Sequence, residues 1–128
     1  PKGKVSTTPV STMDILPTIT SLTMGQLPEN ANIKGRDITQ ILFQPEKVFP
    51  SEFELVYYNR EGNPEAIRLG DWKLHIAKSR GWNKKDSDFP LSLYNLKEDI
   101  GETNNLALEH PSIVKKLQNR LIELDATM

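Results

Sequence analysis

The sequence predicts an α+β fold, a small four-stranded antiparallel sheet packed on a carboxyl-terminal helix and preceded by a separate helical segment. Three observations predict it. Ala66 to His75 alternates apolar and polar residues on either side of Gly70-Asp71, as two short strands joined by a tight turn do. Ile113 or Val114, Leu117, Leu121 and Leu124 recur at helical spacing after Pro111. Far upstream, Ile15, Leu16, Ile19 and Leu22 fall on one face of a second helix.

The upstream helix is expected from about Thr12 to Met24. Ser11 and Asp14 form a capping box before it, and Gly25 is placed to stop it. Pro17 lacks a backbone N–H, so the first turn should be bent there or separated from the rest. Gln26 to Phe49 carries two prolines and several Asn residues. With the short apolar cluster Ile38, Ile41, Leu42 and Phe43, it reads as a surface loop with a brief helical turn and as the boundary between two units, 1–49 and 50–128.

Phe53 to Tyr58 is aromatic and β-branched, as a strand should be, and Asn59 to Pro64 supplies a turn. The second and third strands run from Glu65 to Leu69 and from Asp71 to Ala77. Ser79 to Pro90 is charged and glycine-bearing, which marks a loop. Leu91 to Leu96 is the fourth strand, and Lys97 to Leu108 is a polar connection. Pro111 suits the first turn of the closing helix, because a first-turn N–H needs no partner within the helix.

A chain of 128 residues supports one domain's worth of core, and an apolar fraction of 37% is lean. Part of the apolar surface is therefore expected to serve a partner, by self-association if nothing else. Sixteen basic and seventeen acidic residues leave a net charge of −1, so no global field draws in nucleic acid or an acidic membrane. No apolar run is long enough to span a bilayer. The absence of Cys removes disulfides, thiolate-bound zinc and a thiol nucleophile. No Asn-x-Ser/Thr acceptor is present, which leans towards a bacterial source.

A two-residue loop at Gly70-Asp71 would set Leu69 opposite Trp72, Arg68 opposite Lys73, Ile67 opposite Leu74 and Ala66 opposite His75. Leu69, Trp72, Ile67 and Leu74 then share the face that meets the helix, and Arg68, Lys73 and His75 share the other. Two directly opposed cations cost about 0.2–1 kcal/mol unless an anion sits beside them. That anion is either a side chain, with Glu52, Glu54, Asp99 and Glu102 as candidates, or an anionic substrate held by the planar fork of Arg68.

Trp82 offers a ring on which a sugar could stack, or it covers the base of its loop. His75 alone is most simply a polar strand residue and His110 a helix-entry residue, and neither has acidic companions at metal-ligand spacing. Asp14 is explained by capping and by the helix dipole. Glu102, Asn104 and Asn105 read as a turn whose side chains bond their own backbone. Arg68, Lys73, His75 and Trp82 are thus the candidate substrate-binding residues, with no candidate catalytic or metal residue.

Several segments resemble the carboxyl-terminal end of the sulfatase family. Pro9-Val10-Ser11-Thr12-Met13-Asp14-Ile15-Leu16-Pro17-Thr18 is similar to the family's helix signature, and Gly35-Arg36-Asp37-Ile38 to the segment that follows it. Arg68-Leu69-Gly70-Asp71-Trp72-Lys73-Leu74, Leu93-Tyr94-Asn95-Leu96 and Asp99 to Ala107 resemble the last small sheet and its turn. The resemblance implies that residues 1–49 close the large α/β (alkaline-phosphatase-like) domain and that 50–128 form the small carboxyl-terminal subdomain.

The same resemblance implies a parent that hydrolyses sulfate esters with an upstream formylglycine and a calcium ion, acts on an aryl sulfate or sulfated sugar, and is periplasmic or secreted. No Cys/Ser-x-Pro-x-Arg motif occurs here. Beginning at Pro1, the chain is expected to be a piece that completes the fold, could line the substrate cleft, and catalyses nothing alone. The alternatives are a free-standing carbohydrate-binding or interaction module, and the tail of a related phosphatase or phosphodiesterase.

Overall fold

The computed structural model describes residues 2–46, 53–76 and 90–126. The chain divides into two compact units, Pro1–Ser51 and Glu52–Met128. The expectations for Phe49, Glu52, Ala77, Trp82 and the loop at 79–89 lie outside the described residues.

In the first unit, the upstream helix is a 3-10 turn, Thr12–Asp14, running into α1, Ile15–Leu22. The capping box forms: the Ser11 hydroxyl accepts from the Met13 N–H at 3.3 Å, and the Asp14 carboxylate accepts from the Ser11 N–H at 2.8 Å. Pro17 falls in the first turn of α1, where its missing donor costs no intrahelical bond. The 3-10 turn is therefore separated from the α-helix without a break at the proline.

The far end of α1 corrects the expectation for Gly25. The left-handed residue is Met24, with φ of +54°. Its N–H bonds the Ser21 carbonyl at 3.1 Å, and the Gly25 N–H bonds the Thr20 carbonyl at 2.8 Å. These are the two closing bonds of a Schellman motif, which puts Gly25 one place beyond the position that most favours glycine. A second short helix, α2, spans Thr39–Phe43, the brief turn expected from its apolar cluster.

The second unit holds β1 (Glu54–Tyr58), β2 (Pro64–Leu69), β3 (Trp72–His75), β4 (Ser92–Asn95) and α3 (Pro111–Asp125). The four strands form one antiparallel sheet in sequence order. Across the β2–β3 hairpin, Leu69 faces Trp72, Arg68 faces Lys73, Ile67 faces Leu74 and Ala66 faces His75, as the sequence predicts. Gly70 supplies the positive φ, +59°, that a two-residue loop needs at its first central residue. In the β1–β2 turn, the Asn59 side-chain oxygen accepts from the N–H groups of Glu61 and Asn63, and Gly62 takes φ of +83°.

Helix α3 covers one face of the sheet. Val114, Leu117 and Leu121, spaced three and four apart, meet Ile67, Leu74 and Leu93, with Val56, Leu69 and Trp72 packed around them. Glu54 is paired with Leu69 and so lies on this face, where its carboxylate takes the Arg120 guanidinium as a fork at 2.8 and 2.7 Å. That placement removes Glu54 as a partner for Arg68 and Lys73. A sheet covered on one side by a helix leaves its other face to carry polar chemistry.

Candidate functional site

The face away from α3 is built by alternation. Arg68 comes from β2, Lys73 and His75 from β3, Tyr57 from β1 and Tyr94 from β4, all at register positions that point the same way. Arg68 and Lys73 are directly opposed, yet their charged ends turn apart. The Lys73 ammonium lies 4.8 Å from the centre of the Tyr57 ring and donates to Glu102 Oε1 at 2.5 Å. His75 Nε2 lies 3.0 Å from Glu102 Oε2, and its ring meets Tyr94 edge-on at 5.8 Å.

One carboxylate thus serves both residues of β3. Burial pushes the Glu102 carboxyl up, but the hydrogen bond and charge of Lys73, then those of His75, outweigh it and leave the group below its ordinary value. Glu102 reaches this position with a backbone φ of +53°, a conformation that a residue with a Cβ adopts only at a cost. Asp99 holds the turn that imposes it, accepting from the N–H groups of Thr103 at 2.7 Å and Asn104 at 2.8 Å. Those bonds, the Asn104 one foremost, keep the Asp99 carboxyl below its ordinary value.

Arg68 is held differently. Its Nε donates to the Gly70 carbonyl at 2.9 Å, and the guanidinium carbon sits 5.6 Å from the centre of the Phe53 ring. Among the described residues, no carboxylate pairs with it. The remaining nitrogens of its fork are therefore oriented but not neutralised.

Asn105 does more than the local turn expected of it. Its side-chain oxygen accepts from the Leu93 N–H of β4 at 3.0 Å as well as from Ala107, and its amide donates to the Leu91 carbonyl at 3.1 Å. The Leu106 N–H bonds the Leu93 carbonyl at 2.8 Å, so the 105–106 segment seals the outer edge of β4. His110 precedes α3, as expected, and its ring packs edge-on against Trp72 at 5.2 Å.

In the first unit, Asp14 is 2% exposed and accepts from the Arg36 N–H at 2.8 Å and the Arg36 guanidinium at 3.2 Å. Burial raises this carboxyl, and the Arg36 and Ser11 bonds together more than reverse that. The Thr18 hydroxyl donates to the Asp14 carbonyl at 2.5 Å and accepts from the Ile38 N–H at 3.1 Å. A Cβ on Gly35 would run into the Met13 carbonyl, so glycine is what lets this segment lie against the helix start.

Among the described residues, no group of three His, Cys, Asp or Glu side chains could hold a metal ion. The Ser92 hydroxyl, next to His75 in the sheet, donates to the Pro90 carbonyl at 2.7 Å, which commits it to a structural bond. No helix among the described residues is long and apolar enough to cross a membrane.

No family model matches the chain. It is 31% identical to an N-acetylgalactosamine-6-O-sulfatase of Bacteroides thetaiotaomicron over 118 residues, 87% of this chain and 22% of that protein. It is 27% identical to a sulfatase of Formosa agariphila over 132 residues, 94% of this chain and 24% of the relative. The chain belongs to the sulfatase family, and it matches the carboxyl-terminal region. A structure from the glycosaminoglycan metabolism of Bacteroides thetaiotaomicron superposes on this sulfatase chain with a TM-score of 0.67 at 28% identity, covering 88% of it and 24% of that chain. Ps i-CgsB superposes with a TM-score of 0.76 over 98% of the chain and 26% of its own, at 23% identity, which speaks to the fold alone. The sulfatase chain spans about a quarter of the length of the curated relatives it matches, which include vertebrate as well as bacterial proteins.

Proposed function

We propose that this chain is the structural complement of a sulfuric ester hydrolase. Residues 1–49 close the large catalytic domain and 50–128 form its small carboxyl-terminal subdomain. The observation that carries the reading is the stripe on α1. Ile15, Ile19 and Leu22 are spaced four and three apart and are 55%, 54% and 47% exposed, in a chain that matches only about a quarter of a sulfatase. A soluble surface does not favour a contiguous apolar stripe on a helix, so a partner surface is expected to cover it.

The partner is the upstream catalytic portion of the same polypeptide. Calcium and formylglycine, which sulfatase chemistry implies, belong to that portion. The chain has no Cys, and no group of three His, Cys, Asp or Glu side chains among its described residues could hold a metal ion, so no chemical step is assigned to it. The sheet face bearing Arg68 lines an outer wall of the cleft for a sulfated sugar or aryl sulfate, while Lys73 and His75 are held by Glu102 in a supporting role.

The test is retention of the 128-residue chain by the separately expressed, tagged upstream portion. Ile19→Asp should abolish retention, whereas Ile122→Asp, at an exposed position on α3, should not. Retention unaffected by Ile19→Asp would refute the assignment.

A further inference from the structure

We infer that Arg68 is a pre-oriented hook for an oxyanion, taking a sulfate or carboxylate group of a ligand on the outward edge of its guanidinium, and that Lys73 and His75 are not part of this site. The proposal gives chemistry to the cleft wall described above and takes its biological meaning from it, but its test needs only this chain.

Three basic side chains share this face, and they are satisfied differently. Glu102 binds Lys73 and His75 with one oxygen each, so that pair has its counter-ion. Arg68 sits directly across the hairpin from Lys73, where like charges repel, and Glu102 draws the ammonium away from it. The guanidinium is left with one nitrogen on the Gly70 carbonyl, a ring face on Phe53, and no carboxylate among the described residues.

A lysine in that position could rotate to solvent. An arginine fixed through Nε cannot do so without losing its bond and its stacking, so its two terminal nitrogens stay aligned for a bidentate acceptor. Ordering cost, which usually erodes a surface ion pair, has already been met within the fold. A tetrahedral sulfate and a planar carboxylate both present two oxygens at the spacing of such a fork.

The experiment is a titration of the isotope-labelled chain with sodium sulfate, and separately with a uronate, against sodium chloride at matched ionic strength. The Arg68 side-chain Nε–Hε signal and the backbone amides of Phe53 and Gly70 are followed. A saturable shift confined to these groups is expected. Arg68→Lys should weaken the binding by about tenfold or more, since it keeps the charge but loses the fork. Lys115→Met, at an exposed position on α3, should leave it unchanged.

Saturation by sulfate alone would assign the hook to sulfate groups, and saturation by both anions to either class. Shifts identical in chloride would overturn the proposal. So would shifts centred on Lys73 and His75, or an Arg68→Lys variant that keeps its amide spectrum and full affinity. Failure here with intact retention on the upstream portion would remove the hook without touching the assignment of the chain.

Discussion

The Glu102 carboxylate lies 2.5 Å from the Lys73 ammonium while its own backbone sits at φ of +53°, so a half-buried ion pair is made from an unfavourable main-chain conformation. The second oxygen of Glu102 reaches His75. Replacing Glu102 with Gln keeps the shape but removes the charge. A loss of about 1–3 kcal/mol at neutral pH is expected, because Lys73 is left desolvated without its counter-ion. Urea unfolding of the two proteins measures it.

The same pair sets an acid dependence. Because the folded Glu102 carboxyl titrates below its ordinary value of 4.5, its contribution is complete above that value and is lost as pH falls through the lower, folded value. The stability gap between wild type and Glu102→Gln should therefore narrow as pH falls below about 5. Denaturation midpoints measured from about pH 5 to about pH 3 check this, and a gap that widens over that range would contradict the ion-pair account.

The hairpin register and the composition of both sheet faces were legible in the sequence, because alternation and a Gly-Asp turn allow only one arrangement of Arg68, Lys73 and His75. The identity of the anion beside them was not. Glu54 and Glu102 were equal candidates until the pairing of Glu54 with Leu69 put it on the helix side, and only the folded 99–105 turn brings Glu102 back over β3. The local bond of Asn105 to the Ala107 N–H forms as expected, but its wider role was hidden for a similar reason. Its bonds to Leu91 and Leu93 span more than ten residues, and nothing in local turn chemistry reveals them. At α1, the sequence rule favouring Gly at the left-handed position pointed to Gly25, but the last helical hydrogen bonds place that position at Met24.

Met24 offers a direct check of that placement. It is 94% exposed, so its side chain contributes little packing, and its left-handed backbone is strained. Met24→Gly should stabilise the first unit by about 1 kcal/mol. Slower amide exchange at Thr23 and Gly25 is the readout.

Asn105→Ala should uncover the edge of β4 by leaving the Leu93 N–H and the Leu91 carbonyl without their side-chain partner. The Leu93 amide is expected to lose protection by about 10- to 100-fold, the cost of one unsatisfied buried donor. Hydrogen exchange checks it, and light scattering should show greater self-association at the exposed edge.

Asp14→Ala removes a buried acceptor from the Ser11 N–H, the Arg36 N–H and the Arg36 guanidinium at once. A loss of about 2–4 kcal/mol in the first unit is expected, with the Arg36 and Ile38 amides losing protection together. Unchanged exchange at Arg36 would show that the 35–38 segment is held by something else.

Fragment complementation separates a sulfatase chain that completes a fold from one that carries the chemistry. The upstream portion and the 128-residue chain are prepared separately, and aryl sulfate hydrolysis is measured for each alone and for the mixture in the presence of calcium. No turnover by the chain alone, little by the upstream portion alone, and recovery on mixing that Ile19→Asp prevents are expected. Turnover by the isolated chain that vanishes when one of its own residues is replaced, or full activity of the upstream portion without it, would refute a purely structural role.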